Sequence, residues 1–82
     1  MRFNPNPPPK DPVRMSRRLI DTIIQHRHTT GFKYYQIAGR AGVDKSLLSS
    51  LMHGKVVNQG DPRLAKIGQY FGLAPEEWEE PA

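Results

Sequence analysis

Apolar positions in the middle of the chain fall into two short helical blocks. Ile37, Ala38 and Ala41 stand at i, i+1 and i+4, the apolar side of a two-turn helix running from about Tyr34 to Ala41. Leu48 and Leu51 return at i, i+3 and predict a second helix, stopped at Gly54. Between the blocks, Gly42 suits a chain that leaves a helix with positive φ, Val43 is apolar enough to plug a turn, and Asp44 is a good N-cap. The small side chain of Ala38 lets the two helices cross closely. A helix-turn-helix unit needs this pattern, and its second helix is the one such units offer to the DNA major groove.

The same periodicity predicts three more helices and no strand. Asp11-Pro12 reads as a helix start, Asp at N-cap and Pro at N1, and Met15, Leu19, Ile20, Ile23 and Ile24 keep helical spacing to about His28. Their stripe covers the helix-turn-helix from behind, with Arg14, Arg17, Arg18 and Arg27 mostly off it. Such arginines are usually a solvated face, though one or two could reach a phosphate. Thr29-Thr30-Gly31 closes this helix, and Phe32 is expected as a buried anchor before the next. Asp61-Pro62 repeats the starting device, followed by Leu64, Ile67, Gly68 and Phe71 at i, i+3, i+4 and i+7. Gly72 then Leu73 fits a helix-ending glycine with a hydrophobic residue after it. A last short helix begins at Pro75, with Glu76 and Glu77 favourable at its N-terminus, Trp78 as its apolar anchor and Pro81 as its end. Trp78 either caps the core of its own chain or makes a dimer contact.

Eighty-two residues allow one small domain, and four prolines within residues 1–10 forbid helix and sheet there. The expected organisation is therefore a disordered Pro-rich arm over residues 1–11 and a compact all-α domain of five helices over 12–82. The arm either tracks DNA, with Arg2 and Lys10 on phosphates or in the minor groove, or is a solvated tail. No cysteine is present, so disulfides and thiolate zinc sites are excluded. No apolar run approaches the roughly 18 residues of a membrane span, and no secretory segment follows Met1, so a soluble, cytoplasmic protein is expected. The formal charge of +4 is unevenly placed: residues 1–60 hold ten Lys/Arg against three Asp, whereas residues 61–82 hold two against five Asp/Glu. A basic front suits a polyanionic partner.

Chemistry concentrates on the second helix of the central pair. The positions its core side leaves free are Lys45, Ser46, Leu47, Ser49, Ser50 and His53. Serines lower helix propensity, and a merely soluble face would more usually carry Glu and Lys. Short hydrogen-bonding groups that reach base edges explain the choice, and Lys45 can donate to guanine O6 and N7. At the start of the preceding helix Lys33 replaces the usual Ser or Thr cap, so that start rests on Phe32 packing or on a phosphate bound to its free N–H groups. Of Tyr34 and Tyr35, one is expected to pack and the other to face solvent or DNA.

Residues Ile37-Ala38, Ala41-Gly42-Val43, Ser46, Leu48-Ser49, Leu51 and Gly54-Lys55, with Leu64, Ile67, Phe71-Gly72-Leu73 and Glu76-Glu77-Trp78, resemble the phage lambda-type repressor and Cro helix-turn-helix domains. The likeness covers roughly residues 13–80. It implies base contacts from Lys45, Ser46 and Ser50, sometimes Ser49, and phosphate contacts from the start of the first helix of the pair, Lys33 and Tyr34, and from His53 and Lys55. Three positions depart from the family pattern. Tyr34 and Lys33 replace Gln and Ser/Thr; Leu47 stands where a polar residue is common; Met52 replaces a charged residue that pairs with an arginine of the first helix.

The implied function is sequence-specific binding of a double-stranded DNA operator by a small phage or prophage transcription regulator, with two copies on neighbouring half-sites. The resemblance implies no cofactor and no small-molecule substrate. The alternative is a protein-interaction module on the same scaffold, an antitoxin or antirepressor, using Glu76, Glu77, Glu79 and Glu80. Catalysis and metal binding lack a constellation: His26 and His28, two apart on a helix, point away from each other and read as surface residues.

Overall fold

The computed structural model describes residues 11–82, and among these the chain forms five helices and a small three-stranded antiparallel sheet. In chain order the elements are β1 (Pro12–Met15), α1 (Arg17–Thr30), α2 (Tyr34–Ala41), α3 (Lys45–Met52), β2 (Val57–Asn58), α4 (Pro62–Tyr70), α5 (Pro75–Trp78) and β3 (Glu79–Pro81). The sheet order is β2-β1-β3, so the first strand is the middle one. No helix among the described residues is long and apolar enough to cross a membrane.

The strands correct the all-helical expectation. Asp11-Pro12 does not start a helix: Val13 and Met15 are buried while Arg14 between them is exposed, the period-two alternation of a strand. Val13 pairs with Val57 on one side and with Pro81 on the other, and Arg14 and Met15 face Glu80 and Glu79. The backbone groups of this segment are thus satisfied across the sheet, and the helix begins after Ser16, whose hydroxyl accepts from Leu19 N at 3.0 Å. Pro81 does not end a helix either. The last helix stops at Trp78, and Glu79–Pro81 extends beside β1.

One core holds the elements together. Met15, Leu19, Ile23, Ile37, Leu48, Leu51, Leu64 and Ile67 are fully buried. Phe32, Tyr34, Val43, Leu47, Met52 and Phe71 pack around them. Trp78 belongs to this core, 6% exposed, and lies directly on α4. A Cβ added at Gly68 would stand 2.2 Å from Trp78 Cε3, so only glycine lets the indole reach this position.

His26 is not the surface residue expected from the sequence. Its ring is half-buried with centroids 5.6 Å from Phe32, 5.2 Å from Phe71 and 6.4 Å from Tyr70, all edge-to-face. Its buried Nε2 has no hydrogen-bond partner among the described residues. Replacing such a group by an apolar one of similar shape removes a desolvation cost. His26→Phe should therefore raise stability by about 1 kcal/mol, read as a higher midpoint in chemical denaturation. His28, by contrast, is exposed as expected.

Candidate nucleic-acid interface

The pair α2 and α3 is built as the hydrophobic pattern requires. Ile37 and Ala38 are the buried residues of α2, Leu48 and Leu51 those of α3. Gly42 ends α2 at φ 86°, a conformation costly for any side chain, and the Gly42 and Val43 N–H groups both donate to Ala38 O at 2.9 Å. The chain thereby turns within residues 42–44, and α3 begins at once. Asp44 occupies the N-cap position without a side-chain hydrogen bond; its carbonyl accepts from Leu48 N at 3.0 Å.

The start of α2 is closed by a side chain that the sequence reading did not single out. Lys33 has no side-chain acceptor to offer, and Gln36 reaches back so that its Oε1 accepts from Lys33 N at 2.8 Å. Tyr34 is the packed member of the tyrosine pair, its ring beneath the Arg27 guanidinium at 4.1 Å. Tyr35 is the outward one, 56% exposed. Arg40, in the last turn of α2, lies over Phe32 at 4.6 Å, a second cation on an aromatic face.

On α3, Lys45, Ser46 and Ser50 are exposed and Ser49 is half-buried. Leu47 is half-buried against the core, which takes up the apolar side chain at a position where the lambda-type pattern is polar. His53 and Lys55, both exposed, follow the helix. The His53 ring nitrogen Nδ1 is 2.7 Å from Ser49 O, and Lys55 N donates to Ser50 O at 3.0 Å. The structure thus gathers Lys45, Ser46, Ser49, Ser50, His53 and Lys55 on one helix and its exit, with Lys33 and Tyr34 at the start of α2. Arg2 and Lys10 lie outside the described residues.

Charge sharpens the picture. Between Lys33 and Lys55 the one acidic residue is Asp44. Lys33, Arg40, Lys45 and Lys55 have no carboxylate within salt-bridge distance among the described residues, whereas Arg14, Arg17, Arg18 and Arg63 each do. Of the arginines expected as a solvated face, Arg14, Arg17 and Arg18 are exposed, and each pairs with a carboxylate at the surface: Arg14 with Glu80, Arg17 with Asp21 and Arg18 with Glu77.

Arg63 is a further cation beside α3 that periodicity did not mark. It borders a shallow cleft shared with Gly39, Gly42, Asp44 and Leu47, and a second shared with Lys55 and Val56. Asp61 holds its guanidinium at 2.9 and 3.2 Å and accepts Arg63 N at 2.8 Å as the cap of α4. The hydrogen bond from the Arg63 side chain is the main reason that the Asp61 carboxyl lies below the ordinary carboxylate range. The native state therefore binds a proton here less readily than the unfolded chain. The resulting stability is full above an unfolded carboxyl pKa of about 3.9 and is lost as pH falls through the lower native value. Asp61→Ala should cost about 1 kcal/mol at neutral pH through loss of the cap. Asp61→Asn keeps a capping oxygen, and a denaturation series from pH 6 to pH 2 should show a shallower acid limb in this variant than in the wild type.

Comparison with known protein families, characterised proteins and solved structures returns no match for this chain.

Proposed function

We propose that this chain is a sequence-specific double-stranded DNA-binding regulator that uses α2, the turn and α3 as a helix-turn-helix, in the manner of the lambda-type repressor and Cro domains it resembles. The observation that carries the reading is α3 itself: buried Leu48 and Leu51 on one side, and exposed Lys45, Ser46 and Ser50 on the other with no carboxylate in the helix. Lys45 donates to a guanine edge, and the serines read neighbouring base edges as donors or acceptors. Lys33, Tyr34, His53 and Lys55 set the register on phosphates. Tyr34 contributes through its hydroxyl, since its ring is taken up under Arg27.

On this reading Arg2 and Lys10, which lie outside the described residues, add phosphate contacts. Occupancy is the mechanism: phosphate contacts supply most of the affinity and the recognition helix supplies the choice of site. Two copies would sit on half-sites one helical turn apart, as a small phage or prophage repressor does in the bacterial cytoplasm.

Selection of binding sites from random duplex DNA tests this. An enriched, pseudo-palindromic site is expected. Lys45→Ala and Ser50→Ala should each relax preference at one position of that site by about 1–3 kcal/mol. No enrichment, or an unchanged preference in both variants, would remove the assignment.

A further inference from the structure

Resting on that reading, we infer that Glu77 and Glu80 act as internal phosphate surrogates that occupy the arginines of β1 and α1, so that a polyanion is admitted only at α2 and α3. The sequence places a basic front before an acidic end; the fold lays one on the other. Glu80 sits across the sheet from Arg14, its Oε2 3.4 Å from Arg14 Nη2. Its Oε1 accepts from Arg17 N at 2.6 Å, at the first residue of α1. A carboxylate thus stands where a helix N-terminus and an arginine would together receive a phosphate. Glu77 Oε2 takes Arg18 Nη2 at 3.3 Å while its Oε1 accepts from Ala74 N at 2.9 Å.

These pairs do little for stability. The Arg14 and Arg18 side chains are 51% and 65% exposed, and such ion pairs are weak in water. What keeps the carboxylates in place is the backbone that carries them. Trp78 is buried on Gly68, Ser16 N donates to Trp78 O at 2.9 Å, the Ser16 hydroxyl donates to Glu77 O, and β3 is paired with β1. The carboxylates are carried on a backbone held by the core and the sheet, beside arginines that are otherwise exposed to solvent, which is an arrangement that offsets the attraction of those arginines for DNA. Discrimination against random sequence is the benefit, because non-specific affinity is almost wholly electrostatic.

The test uses the full chain and a random-sequence duplex, titrated over a series of salt concentrations. E77Q/E80Q should bind it more tightly than the wild type, and log K against log salt should steepen by about 1.8, about 0.9 for each of Arg14 and Arg18 released. E76Q/E79Q removes the same charge from the same segment without touching an ion pair, and its slope should stay at the wild-type value. Adding R14Q/R18Q to E77Q/E80Q should restore the wild-type slope. Equal slopes in E77Q/E80Q and E76Q/E79Q would overturn the inference, as would an absence of binding by every variant at low salt. Should E77Q/E80Q fail to fold by circular dichroism, R14Q/R18Q alone decides: an unchanged slope supports masking, and a shallower one shows that these arginines already hold phosphate. A selection experiment without enrichment would remove the proposed function while leaving this outcome readable on random DNA.

Discussion

Gly68→Ala should lose stability in spite of being a glycine-to-alanine change inside a helix. On propensity alone the substitution favours α4 by about 1 kcal/mol. The added methyl would stand 2.2, 2.4 and 2.6 Å from Trp78 Cε3, Cδ2 and Cγ, which no rotamer change at residue 68 can relieve. Either α5 moves off α4 or the indole leaves the core, and overpacking of this kind costs about 1–3 kcal/mol or more. Because Trp78 is followed directly by β3, a displaced indole also pulls on the sheet. Equilibrium denaturation of Gly68→Ala should therefore show a midpoint well below that of the wild type. The same substitution made in a Trp78→Leu background, where the opposing ring is gone, should be close to neutral or stabilising. A destabilisation of the same size in both backgrounds would show that the close approach of indole to helix is not its cause.

Met15→Ala should be the other severe change, at about 2–5 kcal/mol. Met15 is 1% exposed, on the inner face of the middle strand, facing the same core as Leu19 and Ile23. Truncating it leaves a cavity under β1, which has a partner on both sides and cannot collapse freely. Arg14→Ala, one residue away on the outer face, should change stability by no more than about 0.5 kcal/mol. That contrast is a signature of a strand, and urea titration of the two variants measures it.

How far the chain could be read before folding depends on how far away each residue's partner lies. The bounds of α2 and α3, the turn between them and the start of α4 follow from residues within one or two turns of each other. The identical pair Asp-Pro occurs at 11 and at 61 and means different things. Asp61 accepts Arg63 N and caps a helix, while Asp11 O accepts Gln59 N and leads into a strand. Met15, Leu19 and Ile23 are four apart and extend the helical spacing backwards across Ser16, which hides the strand. Glu79–Pro81 carries no apolar residue other than Pro81, so its pairing is invisible without Val13 to Met15 beside it. At the candidate interface, the exposure of Lys45, Ser46 and Ser50 is legible from the helical repeat. The engagement of Arg14 is not, because its carboxylate is 66 residues away. The same holds for His26, whose aromatic neighbours Tyr70 and Phe71 arrive with α4.

The central position of β1 also sets an order of events during synthesis. Its two neighbours are made late: β2 some 45 residues after it and β3 some 66 residues after it. Pairings of such sequence separation are slow to form compared with contacts within helices. A nascent chain that has completed α1 to α4 therefore still carries Val13 and Met15 uncovered on one side. Val13 gains its second strand, and Met15 its only one, once the chain through Pro81 has left the ribosome, so the domain matures after translation of β3 and not helix by helix.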